Sequence, residues 1–389
     1  MKAVILAAGE GRRLEPLTNR RPKPMLPIAN KPLLEYVVEA VAEAGIEEIM
    51  LVVGYKRERI QTHFGDGADW GVDIEYAVQE KQLGTGHAVL QAEEAIDGGF
   101  VVLNGDRIVE STVVSATLDV DRPTDGMTMA VTRSNQPSSY GVVDVDGEFV
   151  TALTEKPRAT SVPSGIINAG VYRFDESVFD YIRACKRDEG GELGITAVVD
   201  RYIADNGVRA VRYRGLWLDI SYLWDVPGVS RRVIDRFDTP LSDTATVEES
   251  AVVAAATAFG TDVRIGANTT IRPGTTLGDN VTVGANVVLS NVVVYPDVTI
   301  GPGTVLRDCV VGENASVGAN VTVAGRSASM VVDGIAYDDV SLGAVVGDNA
   351  HVGDGVVLES GTVLGDSSLV DTGTTVGGAV DSNVEVRRG

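Results

Sequence analysis

Two hydrophobic periods divide this chain. Over residues 1–236, short apolar runs alternate with stretches whose apolar residues recur every third or fourth position. Val4-Ile5-Leu6-Ala7-Ala8, Glu48–Val53 and Phe100–Leu103 read as buried strands, and Gly126–Thr132, Tyr140–Val145 and Asn168–Phe174 as further strands. Leu33–Ala44, which stops at Gly45, reads as a helix, as do Lys56–Phe64, Glu176–Ala184 and Ile195–Ala204. Strands alternating with helices predict a Rossmann-like α/β domain, a mostly parallel sheet with helices on both faces. After Asp243 the helical period disappears. Aliphatic residues then recur every sixth position at Ile265, Ile271, Leu277, Val283 and Leu289, and again at Val346, Val352, Leu358, Leu364, Val370 and Val376. Gly, Asn, Asp and Ser fill the positions between. One inward aliphatic residue per six, with turn formers beside it, predicts a parallel β-helix of triangular section with Gly or Asn at its corners. The register slips near Val294–Ile300, Leu306–Val311 and Ala324–Gly343, and the last stretch is expected to leave the coil as a loop. The predicted domains are 1–238 and 239–389.

Composition narrows the function. A formal net charge of -22 argues against a nucleic-acid partner, because phosphate backbones would be repelled. Lysine is scarce: all seven lysines precede residue 187, and arginine carries most of the positive charge. An acidic, lysine-poor surface suits a protein that stays soluble at high salt, which points to a halophilic source. No apolar run is long enough to span a membrane. The first strand begins at once and leaves no room for a signal peptide, so the cytoplasm is the expected compartment. The two cysteines, Cys185 and Cys309, are far apart and lack metal-ligand spacing.

The candidate chemistry starts where the first apolar run empties into a turn. Gly9 and Gly11 are followed by Arg12 and Arg13, and Lys23 sits in Arg21-Pro22-Lys23-Pro24. Glycines let backbone N–H groups approach phosphate oxygens, and nearby Arg and Lys neutralise their charge. A strand ending in such a turn is where an α/β sheet places a nucleotide.

The whole string, VILAAGEGRRLEPLTNRRPKPMLPIANK, resembles the signature LxxGxGTRLxPLTxxxPKPxLP of the sugar-1-phosphate nucleotidylyltransferases. Arg12 departs from it, standing where the family usually has threonine. The resemblance implies transfer of a nucleotide from an NTP to a sugar 1-phosphate with release of pyrophosphate. Leu6, Ala7, Ala8, Gly9 and Gly11 would supply backbone contacts to the triphosphate and ribose, with Asn104 and Gly105 on the next strand end. Arg13 would bind the leaving pyrophosphate. Lys23 would neutralise the α-phosphate and the incoming sugar phosphate. Asp106, in Asn104-Gly105-Asp106, and Asp219, in Trp217-Leu218-Asp219, resemble the family's metal positions, and two carboxylates plus phosphate oxygens suit Mg²⁺. The segment from Gln79 to Ala88 resembles the base-recognition loop. There the Gln79 amide matches a uracil or thymine edge, Gly84 and Thr85 close on the base, and Thr85 is expected to cap the next helix. Its GTGHA wording is closest to the N-acetylglucosamine-1-phosphate uridylyltransferases. His87 reads as structural. Gly141, Glu155, Asn168 and Lys156 map onto sugar contacts.

The C-terminal repeat resembles the left-handed hexapeptide-repeat helix, its handedness coming from that resemblance alone. Such coils usually make trimers, so a homo-oligomer (a trimer or a dimer of trimers) is expected. Bifunctional relatives use the coil to acetylate glucosamine 1-phosphate with acetyl-CoA, which needs a general base. The only histidine there is His351, beside the inward Val352, so its side chain should point outward. The His-x-x-Tyr string of the bacterial enzymes is absent, and no lysine is present to bind phosphate. An assembling or regulatory coil is the preferred expectation, with acetyl-CoA a cofactor only under the bifunctional alternative. Guanylyl transfer to mannose 1-phosphate is a second enzyme reading. A non-catalytic regulatory or scaffold subunit is disfavoured because Arg13, Lys23, Asp106 and Asp219 are all retained.

Overall fold

A computed structural model describes all residues except 120–125, 159–161, 163, 189, 206, 238, 240, 324, 326 and 389. The chain forms two compact units: Met1–Glu10, Pro22–Met25 and Leu33–Leu218 make the first, and Gly11–Arg21, Leu26–Pro32 and Asp219–Gly389 the second.

The first unit is built on a nine-stranded sheet. Lys2–Ala7 lies between Glu48–Val53 and Phe100–Asn104, parallel to both and in continuous register. Strand side chains alternate faces, and here both faces are covered. Ala3, Ile5 and Ala7 pack among the residues of helix Leu33–Glu43, while Val4 and Leu6 join the opposite core with Ala88, Val89 and Val198. That double burial explains a run with no polar alternation. Beyond Phe100–Asn104 the sheet changes direction. Ile166–Phe174 runs antiparallel to it, and Gly141–Asp146 and Phe149–Glu155 form an antiparallel pair. The sheet is therefore parallel where its first strands end and mixed where the later ones close it.

The second unit is a parallel β-helix. Its short strands stack into three parallel sheets, one for each side of the triangle. Ile265, Ile271, Leu277, Val283 and Leu289 are buried inside, as the six-residue period requires. The corners fall on Asn268, Asn280 and Asn286, with φ of 55°, 57° and 59°. Asn tolerates this left-handed conformation better than other residues with a Cβ.

The register slips have two causes. Thr246 pairs with Arg264 and Arg264 with Thr282, but Thr282 pairs with Thr299, so that coil is one residue shorter. Later, Ser316 pairs with His351, because the intervening stretch leaves the coil. It does so as an antiparallel hairpin, Ser327–Val332 with Ile335–Ser341, where a loop was expected. Alternation around an Asp-Gly turn accounts for it: Asp333 and Gly334 have φ of 52° and 76°, as a two-residue hairpin turn demands.

One outer face of the coil is apolar as well. Ala258, Thr276 and Val293 are buried there beneath helix Asp225–Arg236, which lies across Thr257–Phe259, Thr275–Leu277 and Val293–Val294. The Asn30 amide, in the turn between Pro27–Ile28 and Lys31–Pro32, donates to the Leu277 carbonyl at 2.8 Å.

Candidate active site

Three parallel strands of the first unit finish at one edge of the sheet. Leu6 and Ala7 are the last ladder residues of the first strand, with Ala8 and Gly9 following, while Gly54 and Gly105 follow its neighbours. The Gly105 N–H donates to the Leu6 carbonyl at 2.9 Å. A Cβ at Gly105 would come within 2.8 Å of that oxygen. Only glycine lets the chain pass so close, and the pass delivers Asp106 to this edge.

Asp106 meets two cations there. Lys23 Nζ is 2.6 Å from its Oδ2, and Arg107 Nε is 3.6 Å from its Oδ1. Burial works against the charge, but the Lys23 ammonium and Arg107 guanidinium outweigh it and hold the carboxyl well below the usual carboxylate range. About a third of the side chain, 32 %, is exposed, so the carboxylate is both ionised and reachable. Sequence reasoning brought Lys23 and Asp106 forward but missed Arg107. Its guanidinium sits 5.3 Å from the Tyr140 ring centre and 5.0 Å from that of Trp217, whose indole N–H donates to the Ala169 carbonyl. The only local signal was a basic residue after Gly-Asp. Its aromatic partners lie far along the chain.

The base-recognition segment is closely packed. Gln79 is buried, and its amide nitrogen donates to the Gly84 carbonyl at 3.1 Å and lies 2.9 Å from His87 Nδ1. Burial, with Arg187 adding to it, lowers the His87 pKa, in keeping with a neutral, structural ring. Gln82, not singled out by the sequence, donates to the Ala8 carbonyl at 2.9 Å. Gly84 has φ 95°, and a Cβ there would stand 2.5 Å from the Leu193 carbonyl oxygen. Thr85 does not cap the next helix. It is the first residue of Thr85–Leu90, and its hydroxyl accepts the Ile195 N–H at 2.9 Å. Tertiary pairing with the start of Ile195–Asp205 takes the oxygen that a cap would have used. Gln79 and Gln82, with Glu10, Gly54, Tyr55 and Arg57, line a cavity of about 220 Å³.

The residues expected at the sugar converge in part. Gly141 and Glu155 are cross-strand partners. A Cβ on Gly141 would lie 3.1 Å from Glu155 Oε2 and 3.6 Å from Asn168 Cβ, so these three share one spot. Asn168 is held by its own neighbours, accepting the Gly170 N–H and donating to the Tyr172 hydroxyl. Lys156 follows Glu155 with φ 41° and donates its N–H to the Tyr140 carbonyl.

Arg13 and Asp219 belong to the second unit. Arg13 lies in the short turn Arg12–Leu14, with Nε 3.6 Å from Asp333 Oδ2 and Cζ 5.6 Å above the Tyr222 ring. Asp219 Oδ2 accepts the Ser221 hydroxyl at 2.5 Å. Among the described residues no cluster of three or more His, Cys, Asp or Glu could hold a metal unaided. His351 does face outward, its Nδ1 2.5 Å from Ser316 Oγ. No helix among the described residues is long and apolar enough to cross a membrane.

Parallel strands that end in glycine turns beside a lysine–aspartate pair are the architecture of a nucleotide-handling α/β protein. The chain belongs to the nucleotidyl transferase family, whose model matches residues 2–226. Residues 253–372 match a second model, the GMPPB C-terminal domain. Among curated relatives, the bifunctional protein GlmU of Methanococcus maripaludis is 38 % identical over 62 % of this chain and 56 % of its own length. The chain thus spans little more than half of that relative. The low-salt glycan biosynthesis nucleotidyltransferase Agl11 of Haloferax volcanii is 37 % identical over 65 % of this chain and 71 % of its own. A glucose-1-phosphate thymidylyltransferase of Streptomyces antibioticus is 34 % identical over 68 % and 74 %. A solved UDP-glucose pyrophosphorylase with bound UDP-glucose shares the fold, with TM-score 0.56 and 23 % identity over 61 % of this chain and 99 % of that one.

Proposed function

We propose that this chain catalyses NTP + sugar 1-phosphate → NDP-sugar + pyrophosphate, with UTP or dTTP as the nucleotide and N-acetylglucosamine 1-phosphate or glucose 1-phosphate as the acceptor. The observation that carries the reading is Lys23 bound to an ionised Asp106 where the first parallel strands end. A sugar-phosphate oxygen attacks the α-phosphorus in line and pyrophosphate departs opposite, so no protein nucleophile is needed. The protein must supply alignment and charge neutralisation. Lys23, freed from Asp106 when a phosphate arrives, neutralises the α-phosphate and the attacking phosphate. Arg13 takes up charge on the departing pyrophosphate. The backbone from Leu6 to Gly11, with Asn104 and Gly105, holds the triphosphate and ribose. Gln79 reads the base through its carbonyl end, with Gly84 and Thr85 beside it. Glu155, Asn168 and Lys156, with the Gly141 backbone, grip the hexose. Asp106 and Asp219 would hold Mg²⁺, which when bound offsets phosphate charge and polarises the α-phosphate.

The glucose-1-phosphate thymidylyltransferase of Streptomyces antibioticus supports glucose 1-phosphate and dTTP, and the GTGHA loop supports N-acetylglucosamine 1-phosphate and UTP. Uracil and thymine differ by one methyl, a discrimination of only about 1–3 kcal/mol, so use of both nucleotides fits the same pocket. The match of residues 253–372 to the GMPPB C-terminal domain favours a second reading, guanylyl transfer to mannose 1-phosphate. The Gln79 loop weighs against it. Acetyl transfer from acetyl-CoA is left only the outward His351 as base. The β-helix is read instead as the assembly surface of a homotrimer or a dimer of trimers, and the acidic surface, with a Haloferax relative, suits a high-salt cytoplasm. The deciding assay is pyrophosphate release with Mg²⁺ across UTP, dTTP and GTP, each against glucose, N-acetylglucosamine and mannose 1-phosphates. Turnover confined to GTP with mannose 1-phosphate would replace the leading reading, and no turnover in any pair would remove it.

A further inference from the structure

The hairpin that leaves the β-helix returns to Arg13. Its turn residue Asp333 faces Arg13 Nε at 3.6 Å, and farther along Tyr337 OH lies 2.7 Å from Tyr222 OH. Tyr222 stacks on Trp224, centroids 4.5 Å apart and planes 11° apart, and Tyr337 packs at 4.9 Å from Tyr222 and 5.3 Å from Trp224. Arg13 Cζ stands over the Tyr222 ring. Tyr222 is itself pinned: its N–H and that of Ser221 donate to Asp225 Oδ2 at 2.8 and 2.9 Å, and the Ser221 hydroxyl reaches Asp219. The hairpin is braced from within as well. Ser327 and Ser329 donate to Asp339 and Asp338 across its strands.

The side of the guanidinium that is held matters. Asp333 meets the guanidinium at Nε, while the fork of Nη1 and Nη2 is the pair suited to gripping a phosphate in two places. A carboxylate beside Nε and an aromatic ring under Cζ restrain the guanidinium from two sides.

We propose that the hairpin Ser327–Ser341 is a positioning strap: Asp333 and Tyr222 orient Arg13 for the pyrophosphate end of the substrate, and Tyr337 braces Tyr222. This deepens the nucleotidyl-transfer reading and rests on Arg13 acting there. Asp333 and Tyr337 are positioning residues that touch no substrate. They give a stretch without the six-residue repeat a task in the reaction.

The test uses the full chain, assayed in both directions. Asp333→Ala should raise the KM for NTP and for pyrophosphate about two- to fivefold, the scale of an exposed ion pair, and Tyr337→Phe, which removes only the hydroxyl contact to Tyr222, should raise both by a smaller factor. The KM for the sugar 1-phosphate and the melting temperature should stay put, and Asp333→Glu should restore the wild-type KM for pyrophosphate. Unchanged KM values in both variants, or tighter pyrophosphate binding on removal of Asp333, would overturn the strap. Arg13→Ala separates the two claims. If it loses its pyrophosphate response while the hairpin variants behave as wild type, only the strap fails. If it keeps a wild-type KM for pyrophosphate, the reading of Arg13 fails and the strap falls with it.

Discussion

Arg21 Nη2 lies 2.8 Å from Asp348 Oδ2, and its Nη1 lies 3.3 Å from Oδ1, a two-pronged pair between residues 327 positions apart. Both side chains are almost wholly buried, 7 % and 1 % exposed. The guanidinium also reaches Glu313 at 2.6 Å and covers the Tyr295 ring at 5.2 Å. Burial pulls the Arg21 pKa down, but Asp348, Tyr295 and Glu313 outweigh it and leave it raised. For Asp348 burial prevails and keeps the carboxyl above its ordinary value despite Arg21. The two outcomes differ because Arg21 has three partners to offset its burial, whereas Asp348 is also pushed up by the Asp366 carboxylate. The strength of the pair is felt when one partner is taken away.

Arg21→Ala should therefore cost about 3–5 kcal/mol, because it strands a buried carboxylate. Asp348→Asn keeps the shape and the acceptor for the Glu313 N–H, so its loss should be smaller. Urea denaturation of both variants checks the order. Equal, sub-kilocalorie losses would mean that water reaches the pair.

Chemistry at the strand ends gives a second expectation. Lys23→Ala and Asp106→Ala should abolish measurable pyrophosphate release, with losses on the order of 10²-fold or more for a removed phosphate or metal contact. Far-ultraviolet circular dichroism and the melting profile should remain close to wild type. Full activity in either variant would take the site away from this edge.

Gly105→Ala tests the backbone that delivers Asp106. A methyl group would press on the Leu6 carbonyl at 2.8 Å, with Ile5 and Leu34 side-chain carbons at 3.1 Å. Overpacking of this kind costs about 1–3 kcal/mol. Activity should fall further than stability alone explains, since Asp106 must shift with the strand end. A variant with a normal melting temperature and normal turnover would show that the strand end yields without moving its carboxylate.

Much of this was legible in the chain, and the parts that were not share a cause. The strand Glu48–Val53 and the helix Leu33–Glu43 follow from local periodicity, and the stacked coils from a repeat whose Asn and Asp corners take positive φ. The Asp333-Gly334 turn between alternating apolar residues carried a hairpin signal that the missing repeat overshadowed. Thr85 looked like a cap because caps are local, yet its hydroxyl serves Ile195, 110 residues away. Arg21, Arg107 and Gln82 find their partners by tertiary contact, and no spacing rule announces a partner tens or hundreds of residues off. Local order could be read from the sequence, and long-range pairing could not.

The two thiols offer a last measurement that needs no substrate. Cys309 is fully buried within the coil, its Sγ 2.9 Å from the Arg307 carbonyl, and burial pushes its pKa up to about 12. Cys185 is only partly buried, at the end of helix Val178–Ala184. A thiol reacts as its thiolate, so at neutral pH a disulfide reagent should titrate one cysteine in the native protein and two in denaturant. Because Cys309 sits beside the coil from which the hairpin departs, its slow reaction reports opening of the β-helix at that point. Reaction of both thiols at one rate under native conditions would mean that the coil opens readily there. A hairpin anchored on so loose a base could not hold an arginine in place.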